Sequence, residues 1–324
     1  MVTAVIHSYN LTSPVPLSCK FSLDGYYVWG STVIKGHDNR YHMIFSMWEK
    51  QFGFDGWMTN SVFGYAVSDC AAGPYRYEGV ILEGSGDGHW DGRNLHNECL
   101  LYEDGVYYLY YTGAAGDGSF WDNRNQQRVG VMTAPHPKGP WKRFDCPLVD
   151  VEGENLLTAT PNVIKMPDGH FMMVYKTVLP GPMPFGGKVV HKVAVAEHPL
   201  GPFVTREQPF LPLPDVSFPI DDHVQWICDG VYYALVKDNQ NQILGKGIGL
   251  VLFSSADGIN WKLSEDPFVL GQMLDWEDGT TESYVRLEMP KPIFDGEKIV
   301  ALALAARPTD EEKLSYNVQI PLKF

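Results

Sequence analysis

One two-part unit recurs along the chain, and a repeat constrains the fold more than any single motif because every copy must form the same supersecondary structure. Its first part is an apolar strand, a turn of the Asp-Gly or Asn type, and an aromatic strand. It reads STVIKGHDNRYHMIFSMW (31–48), ECLLYEDGVYYLYYTG (98–113), NVIKMPDGHFMMVYKT (162–177), HVQWICDGVYYALVKD (223–238) and EMPKPIFDGEKIVALALAA (288–306). The second part is a third strand running into a tight turn before an aromatic residue, at Gly73-Pro74, Gly139-Pro140, Gly201-Pro202 and Asp257-Gly258; the fifth copy ends instead in SYNVQIPLKF. Each unit supplies strands A, B and C plus a short outer strand D, which is the blade of a propeller. The expected fold is all-β, a single five-bladed β-propeller over residues 1–324. The fifth copy lacks an outer strand and residues 2–8 (VTAVIHS) belong to no copy, so this N-terminal strand is expected to complete the last blade and close the ring. A β-sandwich would not need regular copies of this length.

Composition agrees with short strands and turns: 13% aromatic residues, 32 Gly and 23 Pro stand against 20% charged residues. No segment has the period of an amphipathic helix. The net charge of −14 argues against nucleic acid or an anionic membrane as partner. No apolar run approaches the ~20 residues of a membrane span. The opening MVTAVIHSYN lacks the basic start and apolar core of a signal peptide, so the chain as given is expected in the cytoplasm, or outside it if a leader was removed. Cys19, Cys70, Cys99, Cys146 and Cys228 are an odd set without a CxxC pair. They predict neither a disulfide framework nor a zinc knuckle, and most read as small buried hydrophobes.

In a propeller, strand A starts near the central axis and the B–C loop lies on that same face. The B–C loops (49–61, 114–128 and 178–188) are long and carry Trp57, Phe120, Trp121 and Phe185. Such rings either stack on the apolar faces of sugars or pack loop on loop. Counting eight residues back from each hairpin glycine predicts Ser31, Asn97, Pro161, Asp222 and Glu288 nearest the axis. That places carboxylates on the neighbouring blades four and five. Around them stand His96-Asn97-Glu98, Asp221-Asp222-His223, and Glu282 with Arg286-Leu287-Glu288. Desolvated carboxylates are costly without a role or a partner; a ring-closing ion pair with Arg286 is the structural alternative.

Glycoside hydrolysis needs one protonated and one ionised carboxyl group. Asp222, Glu288 and Glu98 are the catalytic candidates, and spacing leaves the acid and base roles open among them. His96 and His223 suit a general acid, a hydroxyl ligand or a metal ligand. Lys176, Lys237 and Arg307 are read at equivalent ends of the B strands, where they would neutralise carboxylates or bind a uronate or sulfated sugar. The substrate-binding set is Trp29, His96, Asn97, Asn162, Lys176, His223, Lys237, Arg286 and Trp121.

At these residues the sequence resembles the five-bladed propeller glycoside hydrolases, the broad group around families 43, 32, 62 and 117. The likeness is carried by the xDP-like strand starts (His96-Asn97-Glu98, Thr160-Pro161-Asn162, Asp221-Asp222-His223), the DG-x-YY-x-L-x-Y hairpins and the closing Arg286-Leu287-Glu288-Met289-Pro290. It spans residues 24–323. Family 43 usually places an Asp base on blade one, where Gly30 and Ser31 stand here, so the pocket carries over and the roles do not. The family 117 pattern, a carboxylate base with a histidine acid, gives His223 or His96 a direct part. The resemblance also implies a structural divalent cation near the axis, ligated by these histidines through water, with no metal ligand assigned directly. The expected function is an exo-acting glycoside hydrolase on neutral or anionic plant or algal oligosaccharides. A non-catalytic carbohydrate-binding propeller is the alternative, motivated by the missing blade-one Asp. A phosphorylase would need a concentrated Arg/His phosphate motif that the chain lacks.

Overall fold

The computed structural model describes residues 5–309 and 314–323. Five successive antiparallel sheets form the blades of a five-bladed β-propeller. The described residues fall into two compact units, one made of residues up to Phe54, Gly64–Gly79 and Ile220 onward, the other of Asp55–Phe63 and Val80–Pro219.

The first unit holds most of blade one (Tyr26–Lys35, Tyr41–Glu49, Val62–Ser68, Arg76–Leu82). It also holds blade four (Ile220–Cys228, Val231–Asp238, Gly249–Ser255, Lys262–Leu270) and blade five (Arg286–Asp295, Lys298–Arg307, Tyr316–Pro321). Its apolar core gathers Leu235, Leu250, Leu252, Leu287, Leu302 and Tyr316. The second unit holds blade two (Asn94–Glu103, Val106–Ala114, Gln127–Ala134) and blade three (Thr158–Lys165, Phe171–Val178, Val189–Ala196, Val204–Pro209) around Tyr110, Val129, Val131, Met173 and Tyr175. The hairpins follow the turn chemistry of the sequence: both residues of Asp104-Gly105 and of Asp229-Gly230 have positive φ, as a two-residue type I′ turn demands.

Three expectations are corrected. The outer strand of blade five is Lys20–Phe21, paired with Val318 and Asn317, not residues 2–8. Of that segment, residues 2–4 lie outside the described residues and 5–7 form no strand, yet Ile6 is buried in the core of the unit; its apolar character serves packing rather than pairing. Blade two has no full outer strand, only isolated bridges Val129↔Val149 and Thr133↔Lys142, because Pro135, Pro137, Pro140 and Pro147 remove ladder donors from that stretch. All five cysteines are free, but only Cys19 and Cys99 are buried, while Cys70 and Cys146 are exposed on the turns that hold them. Among the described residues no helix is long and apolar enough to cross a membrane.

The feature that positions side chains is a bulge at one place in the first strand of every blade. Gly30-Ser31, Asn97-Glu98, Thr160-Pro161, Asp221-Asp222 and Met289-Pro290 each oppose a single residue of the second strand. In four of them the first bulge residue is left-handed, with φ of 63° at Gly30, 55° at Asn97, 53° at Thr160 and 58° at Met289. Glycine and asparagine accept this conformation; for Thr160 and Met289 it costs on the order of 1–3 kcal/mol.

The bulge also corrects the sequence alignment, because the hairpins differ in length. Ser31, Glu98, Pro161, Asp222 and Pro290 share one register position, while Glu288 aligns with Trp29, His96, Ala159 and Ile220. Equivalent carboxylates therefore stand on blades two and four, not on blades four and five. Lys176, Lys237 and Arg307 are not equivalent either: Lys176 pairs with Ala159, Lys237 opposes the Asp221-Asp222 bulge, and Arg307 pairs with Arg286.

Candidate active site

In the first unit the bulges of blades four and five carry a compact charged group. Asp222 and Glu288 are 5% and 4% exposed. Lys237, equally buried, donates its ammonium to Glu288 Oε2, and Arg286 Nη1 lies 3.5 Å from the other oxygen, Oε1. Burial alone would lower the pKa of Lys237, but the charges of Glu288, Asp221 and Asp222 hold it above its ordinary value, so the site keeps its ammonium. Asp222 Oδ2 accepts the backbone N–H of Met289 at 2.9 Å.

Arg286 and Arg307 are a cross-strand pair that shares one aromatic support. Their guanidinium carbons lie 5.5 and 4.0 Å from the centre of the Phe54 ring. Phe54 is itself held edge-on by Tyr27, Trp29 and Trp48 at 5.5, 5.0 and 5.7 Å. Trp29 thus braces the platform under the arginines. His223 is buried directly after the blade-four bulge, and Ser31, at the blade-one position, is buried with its Oγ lacking a hydrogen-bond partner among the described residues.

In the second unit Glu98, His96 and Asn162 are buried in the same strand window, and the half-buried Asn97 opens the blade-two bulge. The His96 ring lies between two amides, Asn94 Nδ2 at 3.1 Å from Nδ1 and Gln127 Nε2 at 2.8 Å from Nε2, with Trp57 edge-on at 5.1 Å. A neutral imidazole has one donor and one acceptor nitrogen, so one of these amides turns its oxygen to the ring. Burial first, and the charge of Lys176 second, push His96 down to about 3. The ring is neutral at pH 7, and its two nitrogens are taken up by the amides that hold it.

The sign follows for stability. An unfolded histidine binds a proton near 6.5 and the folded His96 only near about 3, so its contribution is present above 6.5 and is lost as the pH falls through that window. Imidazole carbon and nitrogen shifts of His96 are expected to stay those of the neutral ring at pH 5; a midpoint near 6.5 would contradict its burial.

Farther along the same unit, Trp57, Phe120, Trp121 and Phe185 touch in sequence, with ring centres 6.1, 5.2 and 4.7 Å apart. The loops are tied by Arg124, which donates to the carbonyl of Phe185 at 2.9 Å. The rings therefore pack loop on loop, yet Trp121 and Phe185 remain 38% and 62% exposed. Asn162 donates toward Cys99 Sγ at 3.5 Å, and the half-buried Lys176 lies over Phe218.

No protein-family model matches the sequence, and no curated protein does. Solved structures do. A family 117 glycoside hydrolase of the marine bacterium Zobellia galactanivorans superposes with a TM-score of 0.66 at 15% identity, covering 100% of this chain and 89% of that one. A family 43 β-xylosidase/α-arabinofuranosidase from a compost metagenome, in complex with xylotriose, gives 0.61 at 13%, covering 98% and 96%. The native arabinanase of Bacillus subtilis gives 0.61 at 14%, covering 92% and 94%. The chain has the fold of these hydrolases.

Within that fold, the structure brings together Asp222, Glu288, Lys237 and Arg286 in one unit, with Trp29 behind them through Phe54; in the other it groups His96 with Trp57 near the charge of Lys176. Sequence reasoning missed Phe54, Asn94, Gln127 and Met289. Phe54 had a signal, as one of the aromatics of the 49–61 loop; the two amides had none, being polar residues whose partner is set by pairing across strands. For the expected cation, both nitrogens of His96 are already engaged, and among the described residues no group of three His, Cys, Asp or Glu could hold a metal ion.

Proposed function

We propose that the chain is a glycoside hydrolase that removes terminal acidic sugars from plant or algal oligosaccharides, with Asp222 and Glu288 as its catalytic pair. The observation that carries the reading is the pair itself: two buried carboxyl groups on adjoining blades of a hydrolase fold, both felt by one buried ammonium, Lys237. Glu288 is ion-paired to Lys237 and takes the ionised role, activating water or attacking the sugar. Asp222 gives its proton to the departing glycosidic oxygen as the bond to the sugar breaks, and recovers it from water in the course of the turnover.

The acidic substrate class is supported by Arg286 and Arg307. Their shared support on Phe54 orients two planar forks, the geometry that binds a carboxylate or sulfate through paired hydrogen bonds. Single sugars ending in a uronate are the matching ligands. A screen of uronate-ended, sulfated and neutral oligosaccharides, with products followed by anomeric NMR, tests this. Hydrolysis of the acidic members is the expected result; binding of them without any turnover would make the chain a lectin-like module. Arg286→Ala is expected to raise KM for a uronate-ended substrate about tenfold, the loss of one charge-assisted contact of about 1.5 kcal/mol, while a neutral analogue changes little.

A further inference from the structure

We infer that Met289 is a positioning residue whose left-handed backbone fixes the carboxyl group of Asp222. The inference rests on the hydrolase reading above. Asp222 is the second residue of the blade-four bulge and Met289 the first residue of the blade-five bulge, and the Met289 N–H reaches Asp222 Oδ2 at 2.9 Å with both residues buried. Pro290 has no N–H, so Met289 supplies the one backbone donor that the bulge has.

Methionine is an unexpected occupant. Its φ is 58°, where blades one and two use Gly30 and Asn97, the residues that accept this conformation. Strain of this kind persists where its surroundings over-determine it, and clusters where a group must be aimed. The second unit shows what the bulge N–H does when no carboxylate is involved: Thr160, also left-handed, donates to the side-chain oxygen of Thr112 at 2.9 Å. There the bond joins blade three to blade two. In blade five the same donor has a carboxyl group, that of Asp222, as its partner.

The consequence is chemical. With Oδ2 engaged as the acceptor of the Met289 N–H, the carboxyl plane of Asp222 is held by a backbone atom rather than by a mobile side chain. Met289 touches no substrate; it acts through Asp222.

Three substitutions and one spectrum test this. Met289→Gly and Met289→Asn accept the left-handed backbone and keep the N–H, and are expected to retain kcat within about threefold. Met289→Val, a β-branched apolar residue that disfavours positive φ, is expected to lower kcat about 10- to 100-fold, the scale of a misplaced catalytic group, with KM within twofold and a native circular dichroism spectrum. Full activity of the valine variant, or an equal loss in the glycine and asparagine variants, overturns the inference. In protein labelled with 15N-methionine, the Met289 amide proton is expected far downfield and should move upfield in Asp222→Asn; an unmoved resonance also overturns it. The spectrum decides the contact even if the valine variant does not fold. If no glycoside is hydrolysed, the functional reading fails, and the amide shift still reports on the Met289–Asp222 bond.

Discussion

Asp222→Asn is expected to cut hydrolysis of a glycoside with an ordinary alcohol leaving group by about 10²–10⁴-fold, the range lost when a general acid is removed. The same variant should cleave a dinitrophenyl glycoside at close to the wild-type rate, because that leaving group departs without a proton. Glu288→Gln should lose activity toward both substrates, since activation of water, or attack on the sugar, is needed whatever the leaving group. Binding of the uronate-ended ligand, followed by calorimetry, should survive in both variants. The reverse pattern would exchange the two roles. Full activity in both variants toward both substrates would remove the pair from the chemistry altogether.

Lys237→Met is expected to have the largest effect on stability. The ammonium is buried against Glu288, with side-chain exposures of 6% and 5%, so its removal strands an uncompensated carboxylate in the interior. Breaking one side of such a pair costs about 3–5 kcal/mol, whereas replacing both partners by uncharged groups of similar volume is near neutral. Urea unfolding of Lys237→Met should therefore show that loss, and the double variant Lys237→Met/Glu288→Gln should recover more than half of it. An additive double variant would show that the pair is not coupled. The folded state raises the pKa of Lys237, so the stability from this pair is complete below about 10.4, the ordinary lysine value, and is lost as the pH rises through the higher folded value.

Much of the candidate site was legible before any coordinates. Asp222, Glu288, Lys237 and Arg286 were all named from the sequence, because polar residues crowded at the starts of otherwise apolar strands are costly to bury. Their alignment was not legible. Counting from the hairpin glycine assumes hairpins of one length and strands without extra residues, and the structure departs from both assumptions. The bulge moves Glu98 into register with Asp222 and sets Glu288 two residues earlier, at the register position of Trp29 and His96. Bulges at Gly30 and Asn97 carry a residue type that accepts positive φ; those at Thr160 and Met289 carry none, so propensity gave no warning there.

The long aromatic loops show the same division. Sequence placed Trp57, Phe120, Trp121 and Phe185 on one set of connections, but only pairing and packing separated their tasks and brought in Phe54. Phe54 lies under two arginines, Trp57 closes over a neutral histidine, and Phe185 stays exposed.

What the sequence determined by itself was the repeat, and with it the blades: alternating apolar strands and Asp-Gly turns are local signals, read within a few residues of one another. Which side chains meet was set only when distant strands paired. The last blade takes its fourth strand from Lys20–Phe21, nearly three hundred residues away in the chain, and Asp222 takes its donor from Met289. Contacts of that kind depend on register across strands, where a shift of one residue turns a side chain to the opposite face, and no local preference specifies them.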